Sequence, residues 1–158
     1  ESNLAEIRGK KIGFIFQQFN LIPTLNAIEN VMLPSEFQDN PDRERAKKLL
    51  EMLGLKDRMD HRPTELSGGQ AQRVAIARSL SNDPEIILAD EPTGNLDSKT
   101  GQYIMDFLSD LHEKQGKTII MVTHDIDLVK FAKRVIKLKD GKIERDTGNH
   151  KTARRKNK

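Results

Sequence analysis

The sequence has no cysteine, and aromatic residues make up only 4% of its 158 positions. Without cysteine there is no disulfide framework, no thiolate metal ligand and no cysteine nucleophile. Long apolar runs are also missing. A membrane-spanning helix needs about 20 consecutive apolar residues. The longest candidates, Ile86-Ile87-Leu88-Ala89 and Thr118-Ile119-Ile120-Met121-Val122, have the length of buried strands. No signal-peptide pattern opens the chain. It begins at Glu1 rather than at methionine, as a processed chain, an excised piece or a fragment does. Internal repeats are absent, and low complexity is confined to the last residues.

What is present describes one globular domain, 35% hydrophobic and 32% charged, long enough for a real core. The net charge of +3 comes from one end. The tail 150–158 carries Lys151, Arg154, Arg155, Lys156 and Lys158; removing these five from the 27 basic residues leaves 22 against 24 acidic ones. A body of net charge −2 is not the basic footprint of a nucleic-acid binder. The tail reads as a basic, disordered, solvated terminus, although anionic lipid or RNA would also attract it.

Periodicity places the elements. Ile12 to Gln17 reads as a short buried strand. Asn26 and Glu29 have capping-box spacing at a helix start. Asn40-Pro41 reads as the cap and first residue of the next helix, with Ala46, Leu49, Leu50 and Leu53 as its apolar stripe and Gly54 as its stop. Ser67 caps a third helix. A strand over Glu85–Asp90 follows Pro84, then a helix over Lys99–Glu113 with the stripe Ile104, Phe107, Leu108 and Leu111. Gly116 ends it. A strand over Thr118–Thr123, a short helix near Asp127–Ala132, and a hairpin turning at Asp140-Gly141 complete the chain. Strands alternating with helices argue an α/β domain with parallel core strands. Leu21 to Ser67 has helices and no strand, and reads as a helical subdomain inserted between strands.

Four places carry chemistry. Leu66-Ser67-Gly68-Gly69-Gln70 opens a helix, with a capping serine and two glycines that leave backbone N–H groups approachable; such a terminus is an anion site. A flexible glycine loop before an ordinary helix is the plainer reading. Ile86-Ile87-Leu88-Ala89-Asp90-Glu91 delivers two carboxylates to a strand's C-terminal edge, where α/β proteins bind ligands. Asp90 there can help hold Mg²⁺, and Glu91 can polarise a water; a solvated acidic turn competes. His124, in Thr123-His124-Asp125, again follows an apolar strand, and can reach a phosphate or serve as a structural cap. Gln17 can orient water or complete a Mg²⁺ shell through its amide, though alone it reads as a loop residue.

Together and in this order, these four resemble the ABC-transporter ATPase family from about Lys11 to Glu144. The resemblance implies a P-loop NTPase-like ABC ATPase domain over 1–149, with 11–20 and 84–149 as α/β core and 21–83 as the helical and signature subdomain. It assigns Gln17 to the Q-loop. Ser67, Gly68, Gly69 and Gln70 become the signature that contacts nucleotide across a dimer. Asp90 becomes the Walker B aspartate holding Mg²⁺ with Gln17, and Glu91 the catalytic base. Leu96-Asp97 becomes the D-loop, and His124 the switch histidine. Phe16-Gln17-Gln18-Phe19-Asn20-Leu21-Ile22-Pro23 and Glu91-Pro92-Thr93-Gly94-Asn95-Leu96-Asp97 are similar to the subfamily of lipoprotein-releasing, macrolide-export and cell-division ATPases. Implied with these are ATP and Mg²⁺, a second ATPase subunit packed head to tail, and a membrane permease that fixes the transported substrate. No nucleic-acid partner is implied, and the location is the cytoplasmic face of the plasma membrane. Phe19 to Pro34 would receive a permease helix, or else pack between subdomains.

A phosphate-binding loop needs Gly-x-x-x-x-Gly-Lys-Ser/Thr between a strand and a helix. Gly116-Lys117-Thr118 has leucine where the first glycine belongs, at Leu111, and leads into a strand. Its N–H groups would join a sheet ladder. In the family, the Walker A motif and the adenine-stacking aromatic lie upstream of the Q-loop, so the resemblance runs from just before the Q-loop onward with the N-terminal part missing. The expectation is that these 158 residues alone are inactive. A non-catalytic remnant and an ABC-type ATPase acting on nucleic acid are the competing readings; the near-neutral body and the absence of coiled-coil arms and zinc modules speak against the latter.

Overall fold

The computed structural model describes residues 2–148; the basic tail expected over 150–158 lies outside them. Residues up to Thr123 form one compact unit, and those from His124 on form a second.

The first unit is built on a parallel sheet of three strands in the order β1 (Ile12–Ile15), β2 (Ile86–Asp90), β3 (Thr118–Val122). Parallel strands need crossovers, and both crossovers here are helical. The register aligns Gly13, Ile87 and Ile119 on one face, with Ile15, Ala89 and Met121 beside them. Gly13, Ile15, Ile87 and Ala89 are buried. The opposite face carries Phe14, Leu88 and Ile120 and stays open: Phe14 is 43% exposed, Ile120 53% and Val122 64%. The strands, read from their apolar runs as buried, are therefore buried on one face only.

Helix α1 (Ser2–Lys11) precedes β1. Its periodicity does not announce it, because it has no apolar stripe: Leu4 and Ile7 are both exposed. Between β1 and β2 lie α2 (Ala27–Glu36), α3 (Arg43–Met52) and α4 (Gly68–Ser79). Asn26 forms the expected capping box, accepting the N–H of Glu29 at 2.9 Å while Glu29 Oε2 accepts the N–H of Asn26 at 2.8 Å. Helix α3 starts later than Asn40-Pro41 implied. Asp42 is its cap, accepting the Arg45 N–H at 2.8 Å, because Asn40 still bonds back to the Ser35 carbonyl at the end of α2. The stripe Ala46, Leu49, Leu50 and Leu53 is buried, as are Ile28 and Val31 of α2, Val74 of α4 and Leu55. Each such side chain contributes about 1.5–3 kcal/mol on burial. The three helices pack on one another, and α4 also packs on β1. Gly13 permits that approach: a methyl there would collide with the Ser79 carbonyl oxygen.

Helix α5 (Ser98–Gln115) links β2 to β3 and buries Ile104, Met105, Leu108 and Leu111. It starts at the Asp97 cap and ends at Gly116, whose φ of 68° needs no Cβ. Lys117 leads into β3 as expected, and its ammonium pairs with Asp83 at 2.6 Å. In the second unit, Asp125 caps a 3₁₀ helix over Ile126–Phe131, where a short helix was expected. Strands β4 (Ile136–Lys139) and β5 (Lys142–Asp146) form the expected hairpin, with positive φ at both Asp140 and Gly141.

Candidate functional site

The C-terminal edge of the parallel sheet carries Gln17, Asp90 and Glu91 among the polar residues singled out in the sequence. Strand β2 ends at Asp90, whose side chain is exposed. Glu91 follows with φ 43°, a left-handed conformation that costs a non-glycine residue about 1–2 kcal/mol. Its N–H still donates to the Val122 carbonyl at 2.9 Å, so the strand's ladder extends one residue while the chain turns away. The Thr123 hydroxyl donates to Glu91 Oε2 at 3.0 Å. This bond holds one carboxylate oxygen in place. Sequence reasoning had not assigned Thr123 a role, although it lies inside the Thr-His-Asp motif.

Gln17 lies two residues past the end of β1, half-buried. A methyl on Gly94 would be 3.4 Å from Gln17 Nε2 and 3.5 Å from Glu91 Cβ, so the amide and the glutamate flank one glycine. The turn Pro92–Asn95 is closed by Gly94 N–H to Glu91 O at 3.1 Å and Leu96 N–H to Thr93 O at 3.1 Å. From that turn the Asn95 amide donates to the Gln17 carbonyl at 3.1 Å, pinning the loop that carries Gln17.

Beyond Gln17 the backbone is strained. Phe19 has φ 61° and Asn20 φ 48°, two adjacent left-handed residues that are not glycine. Bulky residues rarely adopt this conformation. The Asn20 N–H bonds to the Gln18 carbonyl at 2.6 Å, closing a three-residue turn around Phe19; with positive φ at its centre this is the rare, strained form of the γ-turn. The loop then wraps a fully buried Asn30. Its Oδ1 accepts the Ile22 N–H at 2.7 Å, and its amide donates to the carbonyls of Ile22, Leu25 and Asn26. A lone asparagine on a helix gave no hint of this in sequence.

Ser67-Gly68-Gly69-Gln70 opens α4. Ser67 and Gln70 form a reciprocal capping box, with Gln70 N–H to Ser67 Oγ at 3.2 Å and Ser67 N–H to Gln70 Oε1 at 2.8 Å. Ser67 and Gly68 are exposed. A methyl on Gly68 would meet only the tip of the Phe19 ring, at 3.8 Å. Gly69 is crowded: a methyl there would lie 2.7 Å from Thr100 Cγ2. Thr100 is held by Asp97, which caps α5 by accepting the Thr100 N–H at 3.0 Å and its hydroxyl at 2.7 Å. These bonds, the hydroxyl first, lower the Asp97 pKa below the usual carboxylate value.

Further along α4, Gln72 is 1% exposed and its Nε2 donates to the Pro92 carbonyl at 2.7 Å, joining α4 to the turn after Glu91. Its Oε1 is buried with no hydrogen-bond partner. Arg73 donates to the Gly69 and Leu53 carbonyls and lies 5.7 Å above the Tyr103 ring, linking α3, α4 and α5. Sequence reasoning missed both; the only available signal was a polar residue on the buried face of α4.

The structure thus brings Gln17, Asp90 and Glu91 to one sheet edge, and Ser67 to Gln70 beside Asp97. His124 is exposed and belongs to the second unit, directly after Thr123. Among the described residues, no group of three histidines or carboxylates could hold a metal by itself. The donor set at the edge is one exposed carboxylate, Asp90, and one amide oxygen, from Gln17. It fits a Mg²⁺ ion that takes its other ligands from water and phosphate.

The ABC transporter family profile matches residues 2–94. An ABC transporter ATP-binding protein of Methanocaldococcus jannaschii, MJ0796, is 55% identical over 92% of this chain and 65% of its own length. A macrolide export ATP-binding/permease protein, MacB, of Chlorobaculum tepidum is 54% identical over 92% of this chain and 23% of its own. The dimeric post-hydrolysis structure of the cassette MJ0796, bound to ADP and Pi, superposes with a TM-score of 0.84 at 53% identity, covering 92% of this chain and 66% of that one. The chain spans about 62–65% of the ATP-binding relatives it matches.

Proposed function

The chain belongs to the ABC transporter family, and we propose that it is the signature-bearing part of an ATP-hydrolysing subunit that drives a membrane permease. The observation that carries this reading is the sheet edge. Glu91, held by Thr123 at 3.0 Å, flanks Gly94 opposite the amide of Gln17. One end of that edge offers a base for a water, and the other an oxygen for a cation.

In this reading, the Glu91 carboxylate accepts the proton of the attacking water, as a positioned general base does. Gln17 orients that water through its amide. Asp90 and Gln17 would hold Mg²⁺, which when bound neutralises phosphate charge. His124 is the γ-phosphate contact that reports nucleotide state. Ser67, Gly68, Gly69 and Gln70 present N–H groups and a hydroxyl at the start of α4 to a nucleotide held by a second subunit, because a helix N-terminus favours an anion. Asp97 lies beside them as the D-loop residue. The dimer bound to ADP and Pi formed by the Methanocaldococcus jannaschii cassette supports the two-subunit arrangement. The fused ATP-binding/permease relatives support a permease partner. No described helix is long and apolar enough to cross a membrane; in this reading the subunit sits at the cytoplasmic face against that permease. Export or lipoprotein release is the direction in keeping with the macrolide-export relatives.

Glu91→Gln tests the assignment, made in the complete reading frame that contains these residues. ATP turnover should fall at least about a hundredfold, in the range general-base catalysis supplies, while ATP binding persists. Unchanged turnover would remove Glu91 from the mechanism and the reading with it.

A further inference from the structure

Arg78 is the next-to-last residue of α4, ten positions beyond Gly68 on the same helix. Its guanidinium donates to two successive carbonyls, Asn20 O at 2.6 Å and Phe19 O at 2.8 Å. Those are the two left-handed residues of the Gln17 loop. The Arg78 side chain is partly buried, and that burial lowers its pKa, though arginine stays charged at any ordinary pH. A planar fork with fixed donors matches two adjacent carbonyls in a way that a single ammonium cannot.

The loop has three tethers beyond its own turn. Asn95 holds the Gln17 carbonyl, Asn30 holds Ile22, and Arg78 holds the strained middle. A strained turn persists only when its surroundings over-determine it. Of the three tethers, only Arg78 reaches the two residues whose φ is positive. The other end of α4 lies near the same turn: a methyl on Gly68 would stand 3.8 Å from the tip of the Phe19 ring. Gly13, packed under the Ser79 carbonyl, fixes the C-terminal end of α4 on β1. Helix α4 therefore holds the turn through Arg78 near one end and lies close to it at the other.

We propose that Arg78 is a positioning residue of the hydrolytic site: it locks the Phe19–Asn20 turn onto α4, so that Gln17 is in place only while the signature helix is. A displacement of α4 relative to β1 breaks both guanidinium bonds, the turn relaxes, and Gln17, two residues away, loses its orientation. The loop and the signature then change state together. The catalytic half of this inference rests on the role proposed above for Gln17; the mechanical half does not.

The test uses Arg78→Ala and Arg78→Lys in the complete reading frame, with amide hydrogen exchange resolved by peptide. Removing both bonds should speed exchange across residues 17–21 at least about tenfold, as local opening without a global one does, while amides of residues 72–77 stay within about twofold. Lysine can restore one bond, so Arg78→Lys should fall between alanine and wild type. In steady-state turnover, Arg78→Ala should lower kcat about tenfold or more with KM for ATP changed less than about threefold, the signature of a misplaced group rather than a lost binding contact. If Arg78→Ala does not fold, Arg78→Lys decides alone. Unchanged exchange at 17–21, or an equal rise throughout α4, overturns the proposal. A normal exchange response with turnover unaffected by Glu91→Gln would instead remove the hydrolytic reading and leave the strut standing.

Discussion

Gly69→Ala isolates the contact between the signature and Thr100, three residues after Asp97. The new methyl would lie 2.7 Å from Thr100 Cγ2, roughly 1 Å inside the usual carbon–carbon separation. Thr100 cannot simply rotate away, because its hydroxyl is bonded to Asp97 Oδ2 at 2.7 Å and its N–H to Oδ1 at 3.0 Å. Overpacking of this kind costs about 1–3 kcal/mol. Replacing a helical glycine by alanine returns at most about 1 kcal/mol, and less in the first turn. The net expectation is a loss of about 1 kcal/mol. Thr100→Ser removes the colliding methyl and keeps the hydroxyl bond to Asp97; alone it should cost under about 1 kcal/mol, as the loss of one half-buried methyl does. In the double variant the clash is gone, so the two changes should couple by about 1–2 kcal/mol, well beyond the 0.3–0.5 kcal/mol scatter of independent sites. Urea unfolding of the four proteins at a common slope measures this directly. Costs that simply add would show that Gly69 is not confined by Thr100.

The remaining expectations can be checked with similar means. Gln72→Leu should change stability by less than about 1 kcal/mol, because losing the bond to Pro92 O is offset by removing the unpartnered Oε1; Gln72→Ala adds a cavity and should cost about 2–4 kcal/mol. Thermal unfolding of the two variants distinguishes them, and equal costs would contradict the buried geometry. The Asp83 pKa is lowered, first by its hydrogen bond from Lys117 and then by the charges of Lys117 and Arg45. A depressed folded-state value means that its contribution is present above the unfolded pKa near 3.9 and is lost as pH falls through the folded one. Asp83→Asn, which also tolerates the φ of 50°, should flatten the acid limb of the stability curve below about pH 4 and leave its shape near neutrality unchanged. Finally, the 158-residue chain has no glycine-lysine loop ahead of a helix, so titration calorimetry with Mg²⁺ and ATP should show no micromolar binding. Heat that saturates at micromolar nucleotide would refute this.

Much of the candidate site was legible before any coordinates because its parts are local. A serine before two glycines and a glutamine three positions on specify a capped helix start from backbone chemistry alone. Four apolar residues ending in Asp90-Glu91 specify a strand with acids at its end. Asn26 with Glu29, Gly116, and Asp140-Gly141 likewise fix a cap, a stop and a turn within a few residues. Where a local preference met competition, the sequence misled: Asn40-Pro41 looked like a helix start, yet Asn40 is still bonded to α2 and Asp42 caps instead.

By itself, then, the sequence determined the order of elements, the parallel α/β class, and the identity of Gln17, Asp90, Glu91, Asp97 and Ser67 to Gln70 as the residues to examine. The strand, the cap and the acids follow from periodicity and capping, which act over one turn of chain; the roles of Gln17 and Asp97 came with the resemblance to the family. Only the tertiary structure decided which of them meet and what holds them. The Thr123 bond to Glu91 spans 32 residues, the Gln72 bond to Pro92 spans 20, and the Arg78 bonds to the strained turn span 58 and 59. No local preference encodes such pairs. They exist because β1 and β2 lie side by side, Gly13 lets α4 close on β1, and buried polar groups must find partners wherever packing leaves them.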